Sequence, residues 1–201
     1  MPANRTDSVL MVYNESDMKL PKRQIVAGET VRYPIHSGQL GINRTMIPRM
    51  IEIVREEHAQ VRQAAVDAIG QAQCGGKDQA CQAKAIYDWV LSRAQWIQDP
   101  ALEETLIYPT RLIREMANPP AYADCASLNM LLVALLGSVG IRAAFVFGSD
   151  GYKDADGEPI IYHVWTMVPI DGKFFYLEPT VPCPAGKAKK YSAMYVQDPW
   201  A

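Results

Sequence analysis

The spacing of apolar positions changes period several times along the chain. Residues 8–14 and 24–35 are rich in β-branched and aromatic side chains, which predicts two strands, with Asp17, Pro21 and Lys22 as turn material between them. From Thr45 the period lengthens. Ile47, Met50, Ile51, Val54, Val61, Ala65 and Ile69 recur every three or four residues, which predicts one amphipathic helix running to about Gln73. Thr45 is its N-cap, Pro48 fits its first turn, and Gly75-Gly76 ends it. A second helix is predicted over residues 78–95, with Ile86, Val90 and Leu91 on one face. Pro109-Thr110 opens a short third helix through Met116, which Asn118-Pro119-Pro120 stops. Residues 124–139 form a strongly apolar helix closed by Gly140, a residue suited to a left-handed C-cap. Residues 141–148, 160–168 and 173–178 read as three strands.

Asp171-Gly172 between two β runs is a two-residue hairpin signal. With these two as the loop, the positions of facing residues sum to 343, so His163 faces Thr180 and Trp165 faces Glu178. His163 and Glu178 then lie on one face as diagonal neighbours, about 7–8 Å apart at Cα and within reach of each other's side chains. A slip of one residue would put them on opposite faces.

Composition narrows the function class. At 201 residues with 49% hydrophobic and 21% charged positions, one globular domain with extensions is expected. A net charge of −2 and a pI near 5.9 argue against a nucleic-acid partner. The basic cluster Lys187, Lys189 and Lys190 is too short to reverse that and reads as a solvated tail. No secretory signal is visible, and the apolar run from Leu131 to Val139 is too short to span a bilayer. The expectation is a chain without a membrane span, cytoplasmic as synthesised. Cys74 and Cys81 flank a Gly-Gly turn. A local disulfide and a metal half-site are both conceivable, but no His or second cysteine pair completes a zinc pattern, and two unrelated thiols is the preferred reading. Cys183, between two prolines, reads as structural or free. The acidic residues Asp150, Asp154, Asp156 and Glu158 do not fall at EF-hand positions, so residues 149–159 read as a solvated turn and no metal is expected.

The candidate chemistry centres on Cys125, where a loop turns into the apolar helix. A thiol at a helix N-terminus sits at the positive end of the dipole, a setting that favours thiolate. His163 and Glu178 follow in order, and a cysteine, a histidine and a carboxylate together point to nucleophilic acyl transfer. His36, beside a Ser-Gly turn, and His58, in a charged helix stretch, read as structural or solvated.

From about Ala80 to Pro182 the chain resembles the transglutaminase-like superfamily, within the papain-like group. The matching pieces are Ala85-Ile86-Tyr87-Asp88-Trp89-Val90, Ala123-Asp124-Cys125-Ala126-Ser127-Leu128, residues 132–146, His163-Val164-Trp165 and Tyr176-Leu177-Glu178-Pro179-Thr180. The resemblance implies an α+β fold in which the helix carrying the cysteine packs on an antiparallel sheet carrying the histidine and the acid. It implies Cys125 as nucleophile, His163 as base then acid, and Glu178 as the orienting third member, with no cofactor and a peptide or peptidoglycan-like amide as substrate. The Cys125 backbone amide would serve an oxyanion hole. Two departures stand out: the usual third residue is Asp, and the glycine common before the acidic residue preceding the cysteine is Ala123 here. The expected organisation is an N-terminal β extension (1–45), a long helix and linker (46–78), the core (79–182) and a C-terminal tail (183–201). The long N-terminal extension and the Pro-rich end suggest a second reading from another class: a structural or adaptor part of a phage tail or baseplate, located in the virion, using the same fold.

Overall fold

A computed structural model describes residues 30–34, 46–99, 103–153, 157, 159–180, 191 and 193–201. The predicted strand over 8–14, His36, Cys183 and the lysine cluster lie outside the described residues, as do Asp154, Asp156 and Glu158.

The apolar stretch after Asp124 forms helix α5 (Cys125–Ser138), buried without a break from Ala126 to Leu136. Burial on all sides makes it the centre of the molecule rather than a surface helix. Helices α1 (Met46–Glu57), α2 (Arg62–Gln71), α3 (Gln79–Leu91) and α4 (Pro109–Glu115) pack around it. On its other side lies a four-stranded antiparallel sheet of β5 (Ala144–Lys153), β6 (Pro159–Ile170), β7 (Lys173–Leu177) and β8 (Ala193–Gln197), in the order β7-β6-β5-β8. Two small ladders complete the fold. One is antiparallel, between β1 (Thr30–Pro34) and β3 (Glu103–Ile107); the other is parallel, between β2 (Ala94–Trp96) and β4 (Ala121–Ala123). The architecture is α+β.

The β6–β7 register is the one Asp171-Gly172 predicts. Ile170 pairs with Lys173, Met167 with Tyr176 and Thr166 with Leu177. Both turn residues have positive φ, 50° at Asp171 and 73° at Gly172, as a primed two-residue turn requires. Gly140 closes α5 at φ 80°.

Elsewhere tertiary contacts override local pattern. The single helix expected to Gln73 is broken at residues 58–61 into α1 and α2. The break frees Glu57 to turn inward, where its carboxylate accepts Thr110 N and Oγ1 at 2.9 Å and so caps α4, and it seats Val61 in the core. The second helix stops at Leu91 rather than Gln95, because residues 94–96 are taken into the ladder with β4 and Arg93 O accepts the Ala121 amide. Cys74 and Cys81, read as unrelated thiols, are disulfide-bonded. The Gly-Gly turn folds α3 back beside α2, and Asp78 caps α3 through the Cys81 amide, bringing the two Cα atoms to 5.6 Å.

Part of the stretch read as a tail belongs to the sheet. Residues 193–197 form β8 along the outer edge of β5. Beyond it the Trp200 ring lies over Gly137 of α5 so closely that a Cβ there would sit 2.1 Å from Cζ2. Arg55 donates to Pro199 O and Ala201 O, holding this segment to α1.

Candidate active site

Cys125 is the first residue of α5, and the preceding turn is fixed from two directions. β4 is tied to β2, and the Ile97 amide donates to Ala123 O at 3.0 Å. The Asp124 carboxylate then accepts the amides of Ala126 (3.1 Å) and Ser127 (3.0 Å), satisfying two first-turn donors and leaving the Cys125 amide out of the cap. The Ser127 hydroxyl donates to Thr105 O and accepts from the Ile107 amide, locking the same turn to β3.

His163 stands on β6, one strand position before Val164, and Glu178 directly follows β7. The hairpin brings them together. His163 Nε2 and Glu178 Oε2 are 2.5 Å apart, with both side chains nearly buried. The other carboxylate oxygen, Oε1, accepts both the amide (3.0 Å) and the hydroxyl of Thr180. Glu178 is held on its backbone side too, where Tyr87 Oη donates to its carbonyl at 2.8 Å. With Nε2 engaged by the carboxylate, Nδ1 is the ring atom left to exchange a proton.

The third expected member lies against the same strand. Asn129 Nδ2 donates to both Cys125 O and Val164 O at 2.9 Å, which ties the start of α5 to β6 one residue past His163. The structure therefore brings His163 to Glu178 and sets the Cys125 turn against the same stretch of β6. The sequence setting of Cys125 favours thiolate, but the fold pushes the other way. Cys125 is the free cysteine among the described residues and keeps some exposure, yet burial of its surroundings pushes the thiol well above its ordinary value. Asp124, Glu104 and Glu178 add to the rise, and the Val164 amide opposes it.

Several site residues carried no sequence signal. Asp99, Glu104 and Asp124 bring carboxylate oxygens within 4.8 Å of one another beside Cys125, close enough to share a proton or a cation. Burial and the Asp124 charge push Glu104 up to about 8. Tyr191 stacks on both His163 (6.4 Å between centroids) and Trp165 (5.3 Å), and His163 stacks on Trp165 at 5.9 Å. Gly148, which faces His163 across the β5–β6 pair, makes the room: a Cβ there would come within 2.6 Å of the Tyr191 ring. Asn129, one turn after Cys125, joins α5 to β6. His58 is structural, bonded to Arg55 O and packed edge-on against Trp200. Among the described residues no helix is long and apolar enough to cross a membrane.

Comparison with known proteins follows the same lines. No curated protein matches. Three solved structures are similar at low identity. A candidate protease from Parabacteroides distasonis has 18% identity and a TM-score of 0.46 over 64% of this chain and 26% of its own. A candidate cysteine protease from Cytophaga hutchinsonii has 15% identity and a TM-score of 0.45 over 79% of this chain and 59% of its own. A TGase has 12% identity and a TM-score of 0.37 over 75% of this chain and 36% of its own. The chain thus spans less than two thirds of each of these proteins. The sequence model of the transglutaminase-like superfamily matches residues 67–179, more than half of the chain from α2 to just past Glu178, and the chain belongs to that superfamily.

Proposed function

We propose that the chain is a cysteine hydrolase or acyltransferase acting on an amide or peptide bond. The observation that carries this reading is the 2.5 Å contact between His163 Nε2 and Glu178 Oε2, with the next β6 carbonyl sharing the Asn129 amide with Cys125 O.

The roles follow from the atoms. Glu178 fixes the imidazole by accepting from Nε2–H, so Nδ1 faces the reaction as a base. Because burial holds the thiol neutral at rest, the proton moves from Sγ to Nδ1 as sulfur attacks the substrate carbonyl. The C–S bond forms while the carbonyl π pair moves to oxygen, and the Cys125 N–H donates to the resulting oxyanion. The imidazolium returns the proton to the leaving amine as the C–N bond breaks. Water or a second amine, deprotonated by Nδ1, then resolves the thioester. The methylene that Glu178 adds relative to Asp is accommodated by Thr180, whose amide and hydroxyl both hold the far oxygen. A peptide or peptidoglycan-like amide is the substrate class we assign. The phage-assembly reading has no supporting observation among the described residues or the matched proteins.

The test is the pH dependence of Cys125 alkylation by iodoacetamide in the wild type and in His163→Ala, read by peptide mass spectrometry. General-base assistance is worth about 10²–10⁴-fold in a reacting enzyme. For an unpolarised alkylating agent at pH 7 we expect His163→Ala to slow labelling at least about tenfold. Equal rates in the two proteins at every pH would remove the enzyme reading.

A further inference from the structure

We infer that Asn129 is a positioning residue for the Cys125–His163 pair, an inference that rests on the function proposed above. Asn129 is fully buried one turn after Cys125, on the same face of α5. Its Nδ2 donates to Cys125 O at 2.9 Å and to Val164 O at 2.9 Å, and its Oδ1 accepts from Thr166 Oγ1 at 2.7 Å. The two carbonyls can only accept, so the amide has one orientation that satisfies all three partners.

Those partners are not scattered. Cys125 bears the nucleophile. Val164 immediately follows His163 on β6. Thr166 is the first β6 residue paired with β7, and its partner Leu177 directly precedes Glu178. One side chain therefore ties the nucleophile turn to two residues of the histidine strand, the second of which pairs with the residue before Glu178. Beyond the Thr166–Leu177 pair β7 no longer accompanies β6. There the Val164 carbonyl goes to Asn129, so the helix N-terminus docks on the strand through a polar side chain instead of another strand. Apolar packing alone would let α5 slide along β6 at little cost, and a displacement of about 1 Å at reacting atoms can cost about 100-fold in rate. Asn129 removes that freedom.

The discriminating experiment measures the pH profile of Cys125 alkylation in the full chain for the wild type, His163→Ala, Asn129→Ala and Thr166→Val, with near-ultraviolet circular dichroism on each. A 1 Å misplacement is worth about 100-fold, so we expect Asn129→Ala to slow labelling at pH 7 about 10- to 100-fold, toward the His163→Ala profile, with the folded spectrum kept. Thr166→Val removes one of the three bonds and should slow it about three- to tenfold. A purely structural role predicts the opposite sign, since loosened packing exposes the thiol and speeds labelling. If Asn129→Ala does not fold, Thr166→Val decides alone, and a wild-type profile in it overturns the inference. If His163→Ala slows labelling while both clamp variants match the wild type, the inference fails and the enzyme reading stands. If His163→Ala changes nothing, both fall together.

Discussion

Glu104→Gln isolates the carboxyl cluster beside the nucleophile. Glu104 is held up to about 8 by burial first and by the Asp124 charge second. A carboxyl whose folded value is raised keeps its proton in the folded state after the unfolded chain has lost it. Its contribution is therefore complete below about 4.5 and is lost as pH rises from there toward 8. At about 1.36 kcal/mol per pH unit, the whole window sets a ceiling of about 5 kcal/mol. Glu104 is only part-buried, and solvent and salt relieve much of that, leaving about 1–2 kcal/mol. Glutamine keeps the shape and hydrogen-bonding capacity of the protonated acid and cannot ionise. The variant and the wild type should melt together at pH 5. At pH 8 the variant should melt higher by about 2–8 °C, taking about 2–4 °C per kcal/mol at this size. The assay is differential scanning calorimetry at pH 5, 6, 7 and 8 with ionic strength fixed. A difference in Tm that stays constant across the series would refute the reasoning, because a plain packing effect does not titrate. Removing this neighbour should also lower the Cys125 thiol, since Glu104 is among the charges that raise it.

Two further outcomes follow from close contacts. Thr180→Val deletes the hydroxyl that holds Glu178 Oε1, and hydrogen bonds to charged groups are worth about 1.5–3 kcal/mol. Cys125 labelling at pH 7 should fall about tenfold, with Thr180→Ser restoring it; a wild-type rate in the valine variant would show that the amide alone suffices. Gly137→Ala drives a Cβ into the Trp200 ring, and overpacking of this kind costs about 1–3 kcal/mol. Tm should drop about 3–10 °C with a shift in Trp fluorescence, and an unchanged Tm would mean that the 198–201 segment adds no stability.

How far the sequence reveals this molecule depends on where each constraint sits. The hairpin is legible because Asp171-Gly172 fixes a register by itself; the ladder stops at Thr166–Leu177, short of the expected Trp165–Glu178 and His163–Thr180 pairs, and the His163–Glu178 contact is made by side chains just past it. The α5 boundaries are legible from Asp124 and Gly140, since caps are local chemistry. The break at residues 58–61 is not, because the contact it allows, Glu57 to Thr110, lies across the fold. β2, β4 and β8 are likewise invisible: three residues each in β2 and β4 give no period, and β8 exists only because β5 offers an edge. Within the site, Asn129 hides in an apolar run, and Tyr191 stands outside every motif. The thiol makes the same point. A helix N-terminus is a local fact that favours the anion, while Glu104 and Glu178 arrive from β3 and from the end of β7 and oppose it.

The pairing of β5 with β8 also orders events in time. During synthesis β5 and β6 precede β8, which is made on the order of one to a few seconds later. Until then β5 presents an open edge next to Phe145 and Phe147, two of the largest buried side chains. A nascent chain paused in that interval is a template for pairing with a neighbour. The segment that closes the sheet therefore also acts late as a guard against aggregation, and substitutions in β8 should cost yield of folded protein before they cost stability.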